Sequence, residues 1–531
     1  MRLLRRDPWS LEGITPPWGE LKSIYQQFRE GILDPLPDEA GVAKKSGLSW
    51  VGGAMDGVFG HHVRAENKQT RIFEIVSAVQ SLQQKATTEA LRKLYELLFD
   101  EPIVNCIDSV LEQLTNKSSS INESRLLAIG RYFATRAGHR EVVKFGLALM
   151  GVFGTRNDTE IMETLGKSDE FALFGAVGLA RLSNYPERAL WDLARNVKGW
   201  GRIQIVERLK DTSDREIQNW MLREGFQNEI MHEYLACICA RTGRLHEVLH
   251  QKQVDAQLLD GAAGIISALV PGGGPAEGID DYDHAAEACE NYLNIVWTRS
   301  DLSLKHFLAV AKLRIFLSEP DGWEKRYCSG WMELGRQTMQ SLSSDIIRRE
   351  DWRRRIESAL GNADEGEFYE GDEAAQVLSM DTWSIHFLRV KTAPLTSQSW
   401  YRLMQQTDEN RIDQVLAFAE SILPFGEIET GPSDELGLGP SFRAHATLDW
   451  LLQDLKRFPG RGWRLIRAGL SSPVVRNRNM AIRALAAWPL ETWTGEMHSF
   501  VRDVYDIEPQ ERVRKSLEKL LAGGSSEGDD F

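Results

Sequence analysis

The sequence predicts an all-α fold, an α-solenoid of stacked antiparallel helix pairs that is most regular towards the C-terminus. Two observations support this prediction. Apolar residues recur at three- and four-residue spacing in short segments such as "TRIFEIVSAVQSLQ" and "TEALRKLYELLF", which is the periodicity of amphipathic helices. Alternating apolar and polar runs closed by Asn-Gly or Asp-Gly turns, which would indicate β-hairpins, do not form a series in this sequence.

The first helical region is expected over residues 63–270, after an irregular Gly- and Pro-containing segment at residues 1–62. Ile72, Ile75 and Val79 form one apolar stripe. Further along, "ESRLLAIGRYFATRAG" is followed by "REVVKFGLALMGVFG". Each segment is about three to four turns long and ends at a polar break, which is typical of short helices.

A Gly-, Pro- and Asp-containing linker is predicted at residues 271–283, followed by a second helical region at 284–425 and another linker at 426–441. Within the second region, the acidic run "GNADEGEFYEGDEA" at 361–374 is predicted to be an exposed loop because like charges repel one another. The last residues, 523–531, read "GGSSEGDDF" and are predicted to be a disordered tail.

The most regular repeats are predicted at residues 442–522. "SSPVVRNRNMAIRALAAW" and "EPQERVRKSLEKLLAG" share a proline, then a Val-Arg pair, then apolar residues at helical spacing. The Val-Arg pairs begin at Val475 and Val513, a separation of 38 residues (513 − 475). This resembles the second helix of HEAT repeats. A single helix pair cannot bury its apolar face alone, whereas stacked pairs can, so the pattern predicts a solenoid.

The charge balance disfavours a nucleic-acid partner. The 531 residues include 63 basic and 77 acidic side chains, for a net charge of -14, whereas phosphate neutralisation requires clustered Lys and Arg. One basic strip, residues 456–483, contains no acidic residue. Its side chains are expected to be solvated or paired with acids from elsewhere in the chain.

A cytoplasmic location without membrane insertion is expected. The longest apolar run, "GAAGIISALV", has about half of the ~20 residues that a spanning helix requires. The start has basic residues but no apolar stretch before Pro8, so a secretory signal is not expected. The five cysteines are an odd number in a long chain, which argues against a disulfide framework.

The stretch "LVPGGGPAEGIDDYDHAAEACE", residues 269–290, has three interpretations: a phosphate cradle, a metal site, or a turn followed by a helix start. A dinucleotide loop requires G-x-G-x-x-G, but counting from Gly272 places Glu277 at the last position. A P-loop requires Lys after its second glycine, and Ile279 occupies that position. The glycines therefore do not match either phosphate-binding motif.

The metal interpretation names Asp283, His284 and Glu287 as candidate ligands. On a helix, His284 and Glu287 are neighbours at i,i+3, and Asp283 and Glu287 at i,i+4. A non-haem iron site combines two histidines with one carboxylate, so a second histidine would have to come from elsewhere. The candidates for it are His61, His62 and His232.

The favoured interpretation of the stretch is structural. Its glycines and prolines end one helix and turn the chain. Asp280, Asp281 and Asp283 are then expected at the N-terminus of the next helix, where carboxylates stabilise the orphan N–H groups and the helix dipole.

Three long phrases carry a resemblance to a known family: "VKGWGRIQIVERL", "REIQNWMLREGFQNEIMHEYLACICA" and "GGGPAEGIDDY". The chain resembles a bacterial limonene hydroxylase-like family of HEAT-like helical proteins, most clearly over roughly residues 120–300. The resemblance implies a monooxygenase or oxidoreductase that converts the monoterpene limonene to perillyl alcohol and carveol and oxidises these alcohols further. It also implies a nicotinamide cofactor, NAD(P)H. No catalytic residue follows from these phrases.

The alternative prediction is a non-catalytic HEAT-like scaffold for protein–protein interaction. It rests on the Val-Arg repeats and on the lack of a catalytic motif in the sequence. The sixteen tryptophans are compatible with both functions, because they can line an apolar pocket or fill a helix-packing core. The core is the favoured interpretation.

Overall fold

The structure is a computed structural model that describes residues 9–39, 69–116, 121–270, 276–396 and 398–523. It confirms the all-α fold, since the described ranges contain helices and no β-strand beyond one isolated bridge between Glu435 and Val474. The described residues up to Trp352 form unit 1, and those from Arg353 onward form unit 2. The segment around His61 and His62 and the predicted tail after Gly523 lie outside the described residues.

Unit 1 contains helices α1 to α18. Their bounds are α1 Ile24–Arg29, α2 Gln69–Gln84, α3 Thr88–Leu98, α4 Ile107–Thr115, α5 Glu123–Arg136, α6 Arg140–Phe153, α7 Thr159–Gly166, α8 Ala172–Leu182, α9 Pro186–Ala194, α10 Trp200–Arg208, α11 Arg215–Trp220, α12 Glu233–Thr242, α13 Leu245–Leu249, α14 Ala256–Leu269, α15 Ala285–Thr298, α16 Leu304–Ser318, α17 Trp323–Tyr327 and α18 Glu333–Ile347. A π-helical turn, Met221–Gly225, follows α11.

Unit 2 contains α20 to α29, and α19 crosses the boundary between the units. The bounds are α19 Asp351–Leu360, α20 Glu365–Val377, α21 Trp383–Thr392, α22 Ser399–Gln406, α23 Ile412–Ile422, α24 Phe425–Ile428, α25 Arg443–Leu455, α26 Trp463–Leu470, α27 Val475–Ala486, α28 Gly495–Ile507 and α29 Glu511–Leu521. Within unit 2, α25 packs on α27 and α27 packs on α29.

The same packing pattern is present in unit 1. There α12 packs on α14, α14 on α16, and α16 on α18. Packing of each helix on the next but one along the chain is the contact pattern of an α-solenoid, in which every repeat buries the apolar face of its neighbour. The predicted fold class is therefore confirmed.

Helix α3 shows how local sequence sets these elements. Thr87 accepts a hydrogen bond from the N–H of Ala90 at 3.2 Å and so caps the helix. Leu91, Leu94 and Leu98 are fully buried. They are the stripe that the three- and four-residue spacing predicts, because such residues share one helix face.

The prediction that the acidic run at 361–374 is an exposed loop is wrong, because the run forms most of α20. Asp364 caps the helix by accepting the N–H of Glu367 at 2.9 Å. Phe368 is buried, and so is Asp372, whose carboxylate contacts His386 Nε2 at 2.7 Å. The run is helical because its apolar positions face the core and one of its carboxylates has a buried partner.

The basic strip at 456–483 is largely paired with acids from elsewhere in the chain, as expected. Arg461 pairs with Asp413, and Arg464 pairs with Glu429. These partners lie before the strip in the sequence, so its positive charge is neutralised by neighbouring helices.

The tryptophans of the described ranges mainly fill the helix-packing core. Trp352 and Trp400 are among the largest fully buried side chains, and Trp200 and Trp220 of the N-terminal cluster are also buried. The apolar run at 261–270 lies within and just after α14, which packs on the π-helical turn. In the described ranges, no helix combines the length and apolarity needed to cross a membrane.

Candidate functional site

The central stretch folds as a turn followed by a helix. A 3-10 turn spans Ile279–Asp281, and α15 begins at Ala285. Asp281 Oδ2 accepts the N–H of Gly278 at 2.8 Å. This hydrogen bond closes the turn, in the way that aspartate side chains commonly stabilise turns.

The prediction that Asp280, Asp281 and Asp283 lie at the N-terminus of the following helix is wrong in position, because α15 begins only at Ala285. Asp280 contacts Arg326 Nε at 2.8 Å, so its carboxylate belongs to an ion pair. Asp283 lies two residues before α15, and His284 occupies the N-cap position without a side-chain capping bond. The imidazole of His284 is therefore free to contact another side chain.

His284 stacks on His246, a residue that the sequence did not single out. The ring centroids are 3.7 Å apart and the ring planes differ by 9°. His246 lies on α13, which begins directly after Arg244, and the φ of 56° places Arg244 in the left-handed region. This turn directs α13 back towards the stretch that precedes α15, and α13 packs on α15.

Tyr282 holds the His246 ring in place. Its hydroxyl lies 3.1 Å from His246 Nδ1 and accepts the backbone N–H of His246 at 3.3 Å. Tyr282 is itself 3% exposed. An imidazole whose Nδ1 contacts a fixed partner has its orientation set, and its Nε2 is the nitrogen left for a ligand.

Glu287 completes a group of three possible metal ligands. Each of His246, His284 and Glu287 offers one possible ligand atom, and these three atoms lie within 4.8 Å of one another. His284 Nδ1 lies 3.9 Å from Glu287 Oε2, which is too long for a hydrogen bond. Two of the three predicted candidates thus meet, and the second histidine is His246.

The other predicted ligands do not join this group. Asp283 is exposed and lies outside the three-residue cluster. His232 packs its ring against Phe226, and its Nδ1 lies 3.3 Å from the N–H of Asn228. His61 and His62 lie outside the described residues. His246 was missed because it is 38 residues before His284 (284 − 246), a distance over which helical spacing gives no signal.

The electrostatic surroundings of the cluster favour a neutral imidazole at His246. Burial lowers the pKa of His246, and the neighbouring His284 lowers it further. Arg241 pairs with Glu277, and Arg244 pairs with Glu247. The two nearby guanidinium groups are therefore neutralised by their own partners and do not repel a cation strongly.

Cysteine ligands do not contribute to this centre. Cys237 and Cys239 are buried, as expected for structural thiols. Burial raises the pKa of Cys237 to about 12 and also raises the pKa of Cys239. Both side chains are therefore expected to be protonated near neutral pH, and neither belongs to the three-residue cluster.

A second surface feature lies in unit 2, at a cavity of about 660 Å³. Its lining includes Glu427, Glu435, Phe442, His445 and Ile507. This volume falls within the range of small-molecule and peptide side-chain pockets, roughly 300–1,000 Å³. The mixed lining of aromatic, apolar and acidic groups suits a ligand that has both apolar and cationic parts.

His445 is the buried polar group of this cavity. It is 5% exposed, and neither ring nitrogen has a hydrogen-bond partner within the part of the chain that the structure describes. Burial lowers the pKa of His445, and Glu427 opposes that effect. A neutral imidazole offers one donor and one acceptor, so a ligand entering the cavity could satisfy both.

A second cavity, of about 920 Å³, lies in unit 1 between the N-terminal segment and α5. Aromatic rings on its lining come from Trp9, Trp18 and Tyr132, and guanidinium groups come from Arg125 and Arg131. Arg131 is held by Asp158 at 2.6 Å, and Arg125 lies over the ring of Trp9. The lining is thus partly aromatic, as an apolar ligand between helices would require.

The described residues do not provide a standard dinucleotide cradle for the nicotinamide cofactor that the resemblance implies. That cradle places the pyrophosphate between a strand and the N-terminus of a helix, and the described ranges contain no strand. The N-terminal cavity has cationic groups, but Arg131 is already paired with Asp158.

No family model matches this chain, and no curated protein matches it. One solved structure, described as an engineered protein, aligns at 14% identity over 85% of this chain and 98% of its own length, with a TM-score of 0.24.

Proposed function

We propose that this chain is a helical-repeat scaffold that binds an extended segment of a protein partner on the surface of unit 2. The proposal rests mainly on one observation, the presence of exposed leucines beside an acidic cavity. Leu436 is 67% exposed and Leu438 is 48% exposed. Ile507, 63% exposed, lines the neighbouring cavity. Grouped exposed apolar side chains with a polar rim are typical of protein-binding sites.

The backbone around Leu436 supports an extended partner. The N–H of Glu435 donates to Pro473 O at 3.2 Å, and Glu435 O accepts from the N–H of Val475 at 3.1 Å. In an extended segment, the backbone groups of successive residues point to opposite sides. Those of Leu436 are therefore expected to face away from Val475, where a partner segment can hydrogen-bond to this one residue before the left-handed Gly437, with a φ of 72°, turns the chain.

The charges of this surface specify the partner's chemistry. Glu427, Asp434 and Glu435 are exposed, and no ion pair involves them in the described ranges of unit 2. Their carboxylates would attract Lys or Arg, and Leu436 and Leu438 would contact aliphatic side chains. The expected partner is therefore an extended peptide segment in which basic and aliphatic residues alternate.

A peptide selection tests the proposal. The full chain would be immobilised and a random peptide library displayed on phage would be selected against it. We expect enriched peptides to combine Lys or Arg with Leu, Ile or Val. Their binding should fall in Leu436→Asp and persist in Leu388→Asp. Leu388, in α21 of the same unit, is 66% exposed and provides a matched control.

Two results would contradict the proposal. Enriched peptides that lack basic residues would remove the role of the acidic side chains Glu427, Asp434 and Glu435. Equally strong binding to Leu436→Asp and to wild type would place the binding surface elsewhere. Circular dichroism of each variant would verify that the helical fold is retained.

Monoterpene oxidation with a nicotinamide cofactor is a second proposal. The sequence resemblance favours it, and so does the aromatic lining of the N-terminal cavity around Trp18 and Tyr132. Purified chain would be incubated with limonene, NADH and dissolved O2, and products would be identified by gas chromatography. Hydroxylation places one oxygen atom of O2 in the alcohol and releases the other as water, so one NADH is oxidised for each alcohol formed. Perillyl alcohol or carveol formed in proportion to NADH consumed would support the activity, whereas no product and no NADH consumption would reject it.

A further inference from the structure

We propose that His246, His284 and Glu287 bind a divalent transition-metal ion, with Zn²⁺ as the reference ion and one coordination position left to solvent. This site lies in unit 1, so the inference is independent of the peptide surface on unit 2. Two imidazoles and one carboxylate, with an open fourth position, are a common ligand set of zinc sites. None of the three is engaged in a strong ion pair of its own.

The spacing of the donors suits one shared ion. Zn–N and Zn–O bonds are about 2.0–2.2 Å long, so two ligands at a tetrahedral angle are about 3.4 Å apart. His284 Nδ1 and Glu287 Oε2 are 3.9 Å apart, and the full set lies within 4.8 Å. The donors must therefore approach each other by roughly an ångström. The side chains of His284 and Glu287 are 53% and 52% exposed, which leaves them free to make that movement.

The stacked rings also have to turn. Ligand lone pairs lie in the ring plane, and two parallel rings 3.7 Å apart cannot both point at one ion without rotation. His246 is the fixed member, since Tyr282 contacts its Nδ1 and its side chain is 11% exposed. The half-exposed ring of His284 is the one that turns towards the ion.

Ligand chemistry selects the class of ion. Imidazole nitrogens suit Zn²⁺, Co²⁺ and similar transition metals, whereas Mg²⁺ and Ca²⁺ prefer sets of oxygen ligands. The cluster supplies two nitrogens and one carboxylate, so it should discriminate against Mg²⁺ and Ca²⁺. Tyr282 is then a positioning residue, because it orients His246 without touching the ion.

Zinc binding by the untagged full chain tests the site. Protein would be stripped with EDTA and desalted, then titrated with Zn²⁺ in competition with a chromophoric chelator. We expect one tight site per chain. His246→Ala and His284→Ala should weaken it by at least about 100-fold, and Tyr282→Phe by about 10- to 100-fold. His250→Ala and Glu290→Gln, exposed neighbours outside the cluster, should leave it unchanged.

A Co²⁺ titration gives a second readout. Tetrahedral nitrogen and oxygen ligands should produce visible absorption without a thiolate charge-transfer band. Glu287→Gln should reduce that absorption. Failure of the wild type to bind Zn²⁺ tighter than about 10 μM, or tight binding that persists in both histidine variants, would overturn the inference. His284 is half-exposed, so His284→Ala decides the question even if His246→Ala does not fold.

Discussion

Replacing Arg478 with methionine should destabilise unit 2 more than most single substitutions would. Arg478 and Glu508 are both 0% exposed and form a bidentate pair, with two N–O distances of 2.8 Å. Arg478 Nη1 also donates to Ser472 O at 2.8 Å. The pair joins α27 to the turn before α29, so it fixes the stacking of the last two repeats.

The expected loss is about 3–5 kcal/mol, since removing one partner leaves the Glu508 carboxylate buried and uncompensated. The backbone N–H of Gln510 at 3.0 Å is its remaining donor. Replacing both partners, as Arg478→Met with Glu508→Leu, removes both charges. That double variant should therefore be closer to wild type, within about 2 kcal/mol.

Urea unfolding followed by hydrogen-exchange mass spectrometry measures this loss locally. Peptides from residues 443–521 report on the C-terminal repeats, and peptides from unit 1 serve as internal controls. A loss below about 1 kcal/mol in Arg478→Met, or a double variant less stable than the single one, would refute the argument that the pair is a buried charge network.

Two further predictions concern stability. Burial raises the pKa of Asp449 to about 6, above its usual value of 3.8, so the folded state binds this proton more tightly than the unfolded state. Ionisation of Asp449 should therefore lower the free energy of unfolding by up to about 3 kcal/mol as the pH rises from about 4 to 6. Asp449→Asn should remove that pH dependence. Identical dependence of the free energy of unfolding on pH in the variant and in wild type would disprove the prediction. Gly261→Ala should destabilise unit 1 by about 1–3 kcal/mol, because a Cβ there would overlap the carbonyl oxygen of Leu222. Gly335→Ala, whose nearest neighbour would be 4.0 Å away, should be neutral or raise the melting temperature; equal effects of the two substitutions would contradict the packing argument.

The fold was predictable because helical periodicity is a local signal. The stripe of Leu91, Leu94 and Leu98 and the start of α27 at Val475 follow from residue spacing alone. The error at 361–374 has a physical cause. A run of acids indicates solvent exposure on average, but Asp364 acts as a cap and Asp372 finds a buried histidine.

The candidate sites were only partly predictable, because they depend on tertiary contacts. The sequence names His284 and Glu287 from their helical spacing. It does not name His246, which reaches them through the left-handed turn at Arg244 and the packing of α13 on α15. The peptide surface likewise depends on the pairing of Glu435 with residues 473 and 475, which no local pattern indicates.

The central proposal is that unit 2 binds a basic and aliphatic segment, and calorimetry with an enriched peptide tests it most directly. Glu427→Gln combined with Glu435→Gln should weaken binding roughly fivefold to thirtyfold at low salt, from about 0.5–1 kcal/mol per charge. The difference should shrink at high salt, since screening weakens exposed charge pairs. Glu373→Gln with Glu420→Gln, an exposed acidic pair elsewhere in unit 2, should leave the affinity unchanged. The proposal would be contradicted if the Glu427→Gln, Glu435→Gln variant bound the peptide as tightly as wild type. An equal loss of affinity in the Glu373→Gln, Glu420→Gln control would also contradict it.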